Sequence, residues 1–248
     1  MHRDELEKYL NELLDIHRFQ DYCPNGLQVE GRPEIQNIVS GVTASVDLLQ
    51  AAIAAKADAI LVHHGYFWRN EDARIVGVKH RRISLLMAHQ INLLAYHLPL
   101  DSHPQFGNNT LLGKKLGFIE TGRFGGQDIM IHGELNRAIT LKALTEKISR
   151  TLLRKPQVIG SADMIVRRIA WCTGGAQNYF EAAVKQDVDA YITGEISEHN
   201  VHLARETGIA FIAAGHHATE RYGVQALGDH VAQKFSIQHQ FIDIDNPV

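Results

Sequence analysis

The chain has 248 residues, 45% of them hydrophobic and 21% charged, with a formal net charge of −3 and two cysteines. This is ordinary usage for a soluble globular protein, and it excludes a disordered, collagen-like or disulfide-stapled chain. The slight acidity and the lack of a basic cluster exclude general nucleic-acid binding.

The first residues alternate charge with apolar side chains and offer neither a signal peptide nor a membrane span, so a cytoplasmic protein with no membrane partner is expected. Leu6, Leu10, Leu13, Leu14 and Ile16 recur at helical spacing and predict a surface helix over 4–19. A Pro/Gly-containing loop follows at 23–31. Short apolar runs then alternate with amphipathic ones: strand 38–42, helix 45–56, strand 59–62, helix 79–89, strand 91–96. Strand-helix alternation of this kind calls for a mostly parallel sheet covered by helices. A strand at 128–134 and a helix at 140–153 ended by Pro156 fill the middle. The second half reads strand 165–173, helix 179–186, strand 190–193, helix 197–207, strand 209–214, a long helix 219–235 and a strand 241–244.

The two halves share more than their order. Shifted by 131 positions, 51–65 lies over 182–196 with Ala51/Ala182, Ala52/Ala183, Asp58/Asp189 and Ala59/Ala190 identical. Shifted by 119, 93–101 lies over 212–220, so His97 meets His216 and Asp101 meets Glu220. Internal duplication is one reading of these matches, and the general likeness of strand-helix-strand units is the other. The expected fold class is α/β, with two intertwined, related halves whose mostly parallel sheets are flanked by helices. Residues 1–122 would carry His63, His64 and Asp101, and 123–248 would carry His216 and Glu220, with the C-terminal helix and strand free to pack back on the first half.

Histidine is the unusual residue, with 15 copies, and it is the commonest metal ligand as well as a base near neutral pH. Three strand ends matter, because open α/β sheets bind ligands beyond the carboxyl ends of their strands. The first ends in His63-His64-Gly65. Neighbours on an extended strand face opposite sides, so both imidazoles reach one site only if the chain turns there, which Gly65 eases; an isolated pair reads equally as a strand cap. The second runs into His97 and Asp101, with Pro99 keeping the segment out of a helix interior and so on an ordered loop; Asp101 fits a turn cap as well. The third carries His216 and Glu220, which share a face if a helical turn forms there.

Together His63, His64, Asp101, His216 and Glu220 make a mixed nitrogen and oxygen donor set. It suits Zn, Mn, Fe, Ni or Co better than Ca. Five ligands exceed one closed tetrahedral site, which implies an open site or two ions with a bridging carboxylate and a water made nucleophilic at neutral pH. Glu195 is a candidate general base or supporting acid, with a helix-start carboxylate as the plainer reading. His97 is a candidate acid/base or a group that orients a ligand. The amides of Thr173-Gly174-Gly175 could hold a phosphate, with a simple turn as the plainer reading, and Tyr66, Phe67, Trp68 or Trp171 could stack a base, with core packing as the plainer reading. His2, His17, His80, His132, His230 and His239 read as surface residues, and Cys23 and Cys172 as small buried or half-buried ones.

Seven motifs in order carry a family resemblance: DYCPNGLQVEG (21–31), GVTAS (41–45), ILVHHGYFW (60–68), YHLPLD (96–101), WCTGGAQ (171–177), ITGEISE (192–198) and AAGHHATERYG (213–223). With them the chain resembles the Nif-three-like family, in the short bacterial YbgI type described as GTP cyclohydrolase 1 type 2 homologues. The resemblance implies a two-domain α/β fold and a homo-hexameric ring with a central cavity. It also implies two divalent metal ions per subunit on the same five ligands, with His97 and Glu195 nearby. The function it implies is a dinuclear metal-dependent hydrolase acting through a metal-bridging hydroxide on a nucleotide-like or heterocyclic small molecule, in GTP ring opening or damaged-nucleotide handling. A metal-binding or metal-delivery protein, or a ring-shaped scaffold without turnover, is the alternative.

Overall fold

A computed structural model describes residues 1–248. The chain divides into two units, Met1–Leu100 with Gly223–Asp245 and Asp101–Tyr222 with Asn246–Val248. The first half runs α1 (Arg3–Leu13), β1 (Gly26–Val29), β2 (Asn37–Thr43), α2 (Val46–Ala54), β3 (Ala59–His64), α3 (Gly77–Ala88) and β4 (Asn92–Ala95). Next come α4 (Leu98–Ser102), α5 (Asn108–Lys115), β5 (Phe118–Phe124), β6 (Met130–Thr140), α6 (Leu141–Leu152), β7 (Gln157–Ile159) and β8 (Ile165–Trp171). The chain ends with α7 (Phe180–Val184), β9 (Ala190–Thr193), α8 (Glu198–Thr207), β10 (Ala210–Ala213), α9 (His216–Thr219), α10 (Arg221–Phe235) and β11 (Gln238–Phe241).

In the first unit the sheet order is β1-β4-β3-β2-β11. β11, β2, β3 and β4 are parallel, and β1 closes the edge antiparallel. Parallel strands covered on both faces read as continuous apolar runs, and β4 is accordingly buried at every position. Ser45 caps α2 by accepting from the Leu48 amide at 3.3 Å. Leu48, Leu49 and Ala52 then pack with Val39, Ile60 and Leu93 in the core. The register sets Thr43 against His64 and Val62 against Ala95, so β2 and β3 end level and β4 ends two residues short of them.

In the second unit the order is β5-β6-β8-β9-β10-β7. Only β8, β9 and β10 pair in parallel; β5, β6 and β7 are antiparallel flanks. The parallel character expected throughout is therefore confined here to the middle of the sheet, because β5 and β6 form their own antiparallel pair. That pair also keeps the segment around 122 with the second unit, so the division falls at Leu100/Asp101 and Tyr222/Gly223 instead of near 122. Thr140 caps α6 on the Ala143 amide at 3.2 Å. Its inward side chains Leu141, Leu144, Ile148 and Leu152 meet Trp171, Ile192 and Ile212, each such burial contributing about 1.5–3 kcal/mol.

The halves repeat one another at a definite place. In the first unit Asp58 Oδ2 accepts from the amides of Gln36 and Asn37 at 2.9 and 3.0 Å. Its own backbone bonds Asn37 and Asn92. In the second unit Asp189 Oδ2 accepts from the amides of Arg167 and Arg168 at 2.9 and 2.8 Å, and its backbone bonds Arg168 and Ala210. Gln36 and Asn37 stand to Arg167 and Arg168 at the same 131-residue shift as the aspartates, while Asn92 and Ala210 stand 118 apart.

Two local expectations need correction. The segment after His97 is not a loop but the short helix α4, which tolerates Pro99 because the first turn of a helix needs no amide donors. His239 is not a surface residue: its side chain is 3% exposed, with Nε2 2.7 Å from Ser40 Oγ and Nδ1 2.8 Å from Asp229 Oδ1. Parallel pairing of β11 with β2 turns it inward. Ser40 is completely buried, so this serine-histidine-aspartate chain is a strut between β2, β11 and α10 with no access for a substrate. No helix is long and apolar enough to cross a membrane.

Candidate metal centre

In the first unit β3 delivers both of its terminal histidines to one place. The rings of His63 and His64 lie 4.6 Å apart, and that of His97 lies 5.0 and 5.7 Å from them. One ring nitrogen from each lies within 4.8 Å of the others. The turn depends on Gly65. A Cβ there would stand 2.1 Å from Gln28 Oε1, and that oxygen accepts the Tyr66 amide at 2.6 Å. His63, fully buried, has Nδ1 2.9 Å from Tyr96 O. His64 Nδ1 lies 3.1 Å from Thr43 Oγ1. His97 Nδ1 is 2.7 Å from Asp21 Oδ1, and its amide donates to Asn25 Oδ1 at 2.8 Å. The carboxyl of Asp21 is held below the usual range: burial opposes this, but the hydrogen bond and charge of His97 outweigh it. Trp68 stands edge-on to His97 at 5.0 Å.

In the second unit the register Ala190↔Ala210 to Thr193↔Ala213 brings the ends of β9 and β10 side by side. Glu195 follows β9, and His216 opens α9 just after β10. His216 Nδ1 lies 2.6 Å from Glu195 Oε1, and its Nε2 lies 3.1 Å from Glu220 Oε2. The four-residue turn of α9 is what puts His216 and Glu220 on one face. Burial by itself would lower the pKa of His216, yet the two carboxylates raise it to about 9. Asp101, 5% exposed, accepts from Asn108 Nδ2 at 2.9 Å and from Thr173 Oγ1 at 3.3 Å.

The glycines of the second unit serve the carboxylate. Gly174 has φ +67, and a Cβ on it would stand 1.9 Å from Glu220 Oε1; one on Gly194 would stand 2.5 Å from the His216 Cα. Backbone this close leaves room only for the donors themselves. In the Thr173-Gly174-Gly175 turn the amides of Thr173 and Gly174 are taken by Asn109 Oδ1 and Thr219 Oγ1, which leaves no row of amides to cradle a phosphate. Trp171 and Tyr66 are core side chains, 1% and 4% exposed, which removes them as stacking surfaces. Cys23 and Cys172 are both buried free thiols. Thus His63, His64 and His97 come together in one unit, and Glu195, His216 and Glu220 in the other, each set at the carboxyl ends of parallel strands. The sequence reading passed over Asp21, Asn25, Thr43 and Asn108, polar residues whose partners lie far along the chain. Imidazole and carboxylate donors held by second hydrogen bonds are what a divalent transition metal requires.

The profile of the Duf34/NIF3 (NGG1p interacting factor 3) family matches residues 1–247, and the chain belongs to that family. It is 53% identical over 247 residues to a GTP cyclohydrolase 1 type 2 homolog of Pseudomonas aeruginosa, covering 98% of this chain and 96% of that one. It is 52% identical to the protein of the same name in Yersinia pestis, over the full length of both. Among solved structures, a protein ybgI of unknown function superposes with a TM-score of 0.96 at 46% identity, and a Thermus thermophilus protein with 0.91 at 33%, each over the whole of both chains. Reduced HcgD from Methanocaldococcus jannaschii shares the fold at a TM-score of 0.84 and 19% identity, over 99% of this chain and 98% of that one.

Proposed function

We propose that this chain is a metal-dependent hydrolase holding two divalent transition-metal ions. The ligands would be His63 and His64 of the first unit and Asp101, His216 and Glu220 of the second. The observation that carries the reading is the His216 imidazole set between two carboxylates, Glu195 at 2.6 Å and Glu220 at 3.1 Å. Once its proton leaves, that arrangement is the nitrogen and oxygen donor chemistry of Zn, Mn, Fe, Ni or Co. A pair of such ions supplies Lewis acidity and a hydroxide nucleophile at neutral pH. The chain's own residues do the rest. Glu195 fixes His216 by its Nδ1 and turns Nε2 toward Glu220, while Asn108 and Thr173 hold Asp101. His97 and Glu195 are the groups we assign to proton transfer.

The substrate is a small nucleotide-like or heterocyclic molecule. The name shared by the Pseudomonas and Yersinia relatives makes GTP the first to try, followed by oxidised nucleotides. A ring-shaped homo-hexamer is the assembly we propose with it. The test is metal content by mass spectrometry on protein purified without chelator, as wild type, His216→Ala and Glu220→Ala, followed by turnover of GTP. About two ions per chain, lowered in both variants, with product formed only by the loaded wild type, is the expected result. Two ions without turnover of any nucleotide would favour metal carriage or a scaffold. A wild type that takes up no metal after anaerobic reconstitution would overturn the proposal.

A further inference from the structure

We infer that the second unit binds a polyphosphate group in the groove between β6 and α6, where Arg137, Lys147 and Arg150 take its charge. The inference goes beyond the metal-dependent reading above and does not rest on it.

The groove has a volume of about 440 Å3, and its charged lining is all of one sign: Arg137 from β6, Lys147 and Arg150 from α6, with no acidic side chain among them. None of the three cationic groups has a hydrogen-bond or ion-pair partner within the chain. Glu146 precedes Arg150 by one helical turn, the spacing that favours an ion pair, yet the two make none. Other arginines of the same unit are matched: Arg123 with Glu120 at 2.8 Å, Arg167 with Glu134 at 3.3 Å and Arg168 with Asp189 at 3.1 Å. Lys147 and Arg150, three residues apart on α6, are neighbours on one face and repel each other. In a chain with a net charge of −3, cations gathered without a counter-charge call for an anion from outside.

The backbone is shaped to this end. The ladder of β6 with β5 stops at Leu135, opposite Phe118, and its ladder with β8 breaks after Glu134 and resumes at Ile139. Residues 136–138 therefore stand outside both ladders and are exposed. A bulge of this kind re-aims side chains and recurs beside binding sites; here Arg137 is its middle residue. Across the groove, a Cβ on Gly117 would stand 3.1 Å from Lys147 Nζ, so the bare backbone there gives the ammonium its room. Leu135 and Ile139 add an apolar lining.

The ligand class follows from size and charge. The volume lies within the range of small-molecule sites. Three cations match one di- or triphosphate chain and fall short of the about 6–10 phosphate contacts with which proteins grip nucleic acid. Guanidinium groups meet phosphate oxygens in bidentate pairs, and a lysine adds a point charge. The groove is also distinct from the metal donors. The pairs Ile139↔Val166 and Thr140↔Ile165 put it beside the amino end of β8, whereas His216 and Glu220 follow the carboxyl end of β10, a strand parallel to β8 through β9.

Calorimetric titration of the metal-stripped, full-length protein with inorganic triphosphate and, separately, with GTP tests this at about 50 and 200 mM salt. Stripping keeps metal-bound phosphate out of the measurement, so the result stands apart from that of the hydrolase test. The proteins are wild type, Arg137→Gln/Arg150→Gln, and Arg81→Gln/Arg205→Gln, which removes the same charge from exposed arginines outside the groove. All four side chains are exposed, and circular dichroism checks that each variant folds. Wild type should bind triphosphate, less tightly at the higher salt. The groove pair should lose affinity about tenfold per arginine, and the control pair should stay within about twofold of wild type. GTP held more tightly than triphosphate, with the same loss in the groove pair, would support the site with a nucleotide as the carrier of the phosphates; equal affinities would support it with the phosphate chain alone as the ligand. No binding by wild type, an equal loss in the two pairs, or a polyglutamate peptide held as tightly as triphosphate would overturn the inference.

Discussion

Gly174→Ala isolates what the backbone contributes to placing Glu220. The added Cβ would stand 1.9 Å from Glu220 Oε1, 2.8 Å from its Cδ and 3.1 Å from His216 Nε2, on a residue with φ +67. Glu220 is 2% exposed, so its carboxylate has no solvent to retreat into. A left-handed conformation costs a non-glycine residue about 1–2 kcal/mol, and overpacking adds about 1–3 kcal/mol, together about 3 kcal/mol. For a chain of this size that lowers the melting temperature by about 6–12 °C. Gly208→Ala is the control, because Gly208 has φ +74 and nothing within 4 Å of an added Cβ. It bears the conformational cost alone, about 2–8 °C. The gain from a stiffer unfolded chain is common to both and cancels in the comparison. Thermal and urea unfolding of metal-stripped protein, followed by far-ultraviolet circular dichroism, gives the difference. Two variants melting within about 2 °C of each other would refute the crowding argument and, with it, the claim that Gly174 is small for the sake of Glu220.

Asp189→Asn tests the repeated aspartate. Burial pushes its carboxyl up, but the amides and guanidinium of Arg168 and the Arg167 amide hold it below its ordinary value. A depressed folded pKa gives stability that is complete above the unfolded value near 3.9 and is lost as pH falls through the folded one. The variant should therefore lose about 1–2 kcal/mol at pH 7 and show a flatter decline in acid; an unchanged acid slope in urea titrations would contradict this. His239→Ala leaves the buried Ser40 hydroxyl without its 2.7 Å partner and opens a cavity, for about 2–4 kcal/mol in urea unfolding; a cost under 1 kcal/mol would mean the strut is dispensable. Zn2+ at about a hundred times its dissociation constant should stabilise the stripped protein by about 2.7 kcal/mol per occupied site, reversed by chelator, and a melting temperature that ignores Zn2+ would count against a centre in the folded state.

The parts of the fold that were legible are those whose signal is local. β9 spans 190–193 as read, and β3 and β4 are apolar runs because both their faces are covered. The elements missed are those defined by a partner. β5 is exposed or half-buried along its middle and exists because β6 pairs with it. α5 buries Asn108 and Asn109, which no hydropathy pattern anticipates. Asn109 is nonetheless satisfied, its Nδ2 donating to Ile129 O and its Oδ1 accepting from the Thr173 amide. The strand-end histidines and acids could be found because each follows an apolar run. Asp21 could not, since its partner His97 lies 76 positions away. The double glycine at 174 and 175 left a plain turn and a phosphate cradle both open for a related reason: a turn that exposes amides and a turn that admits a carboxylate look alike in one dimension.

The repeated halves show where one backbone plan stays fixed and where it varies. Asp58 and Asp189 bond the corresponding amides of the preceding strand in each unit, at the amino ends of β3 and β9, where only the sheet depends on them. At the carboxyl ends the same shifts set His64 against Glu195, His97 against His216, and Asp101 against Glu220. The first unit therefore gathers imidazoles, and the second gathers carboxylates about one imidazole. Imidazole favours zinc, iron or nickel, whereas carboxylate oxygen also accommodates harder ions such as manganese. A side chain carried on the end of a strand can change its chemistry without disturbing the hydrogen bonds that start the strand, and that separation lets one scaffold present two unlike sets of nitrogen and oxygen groups.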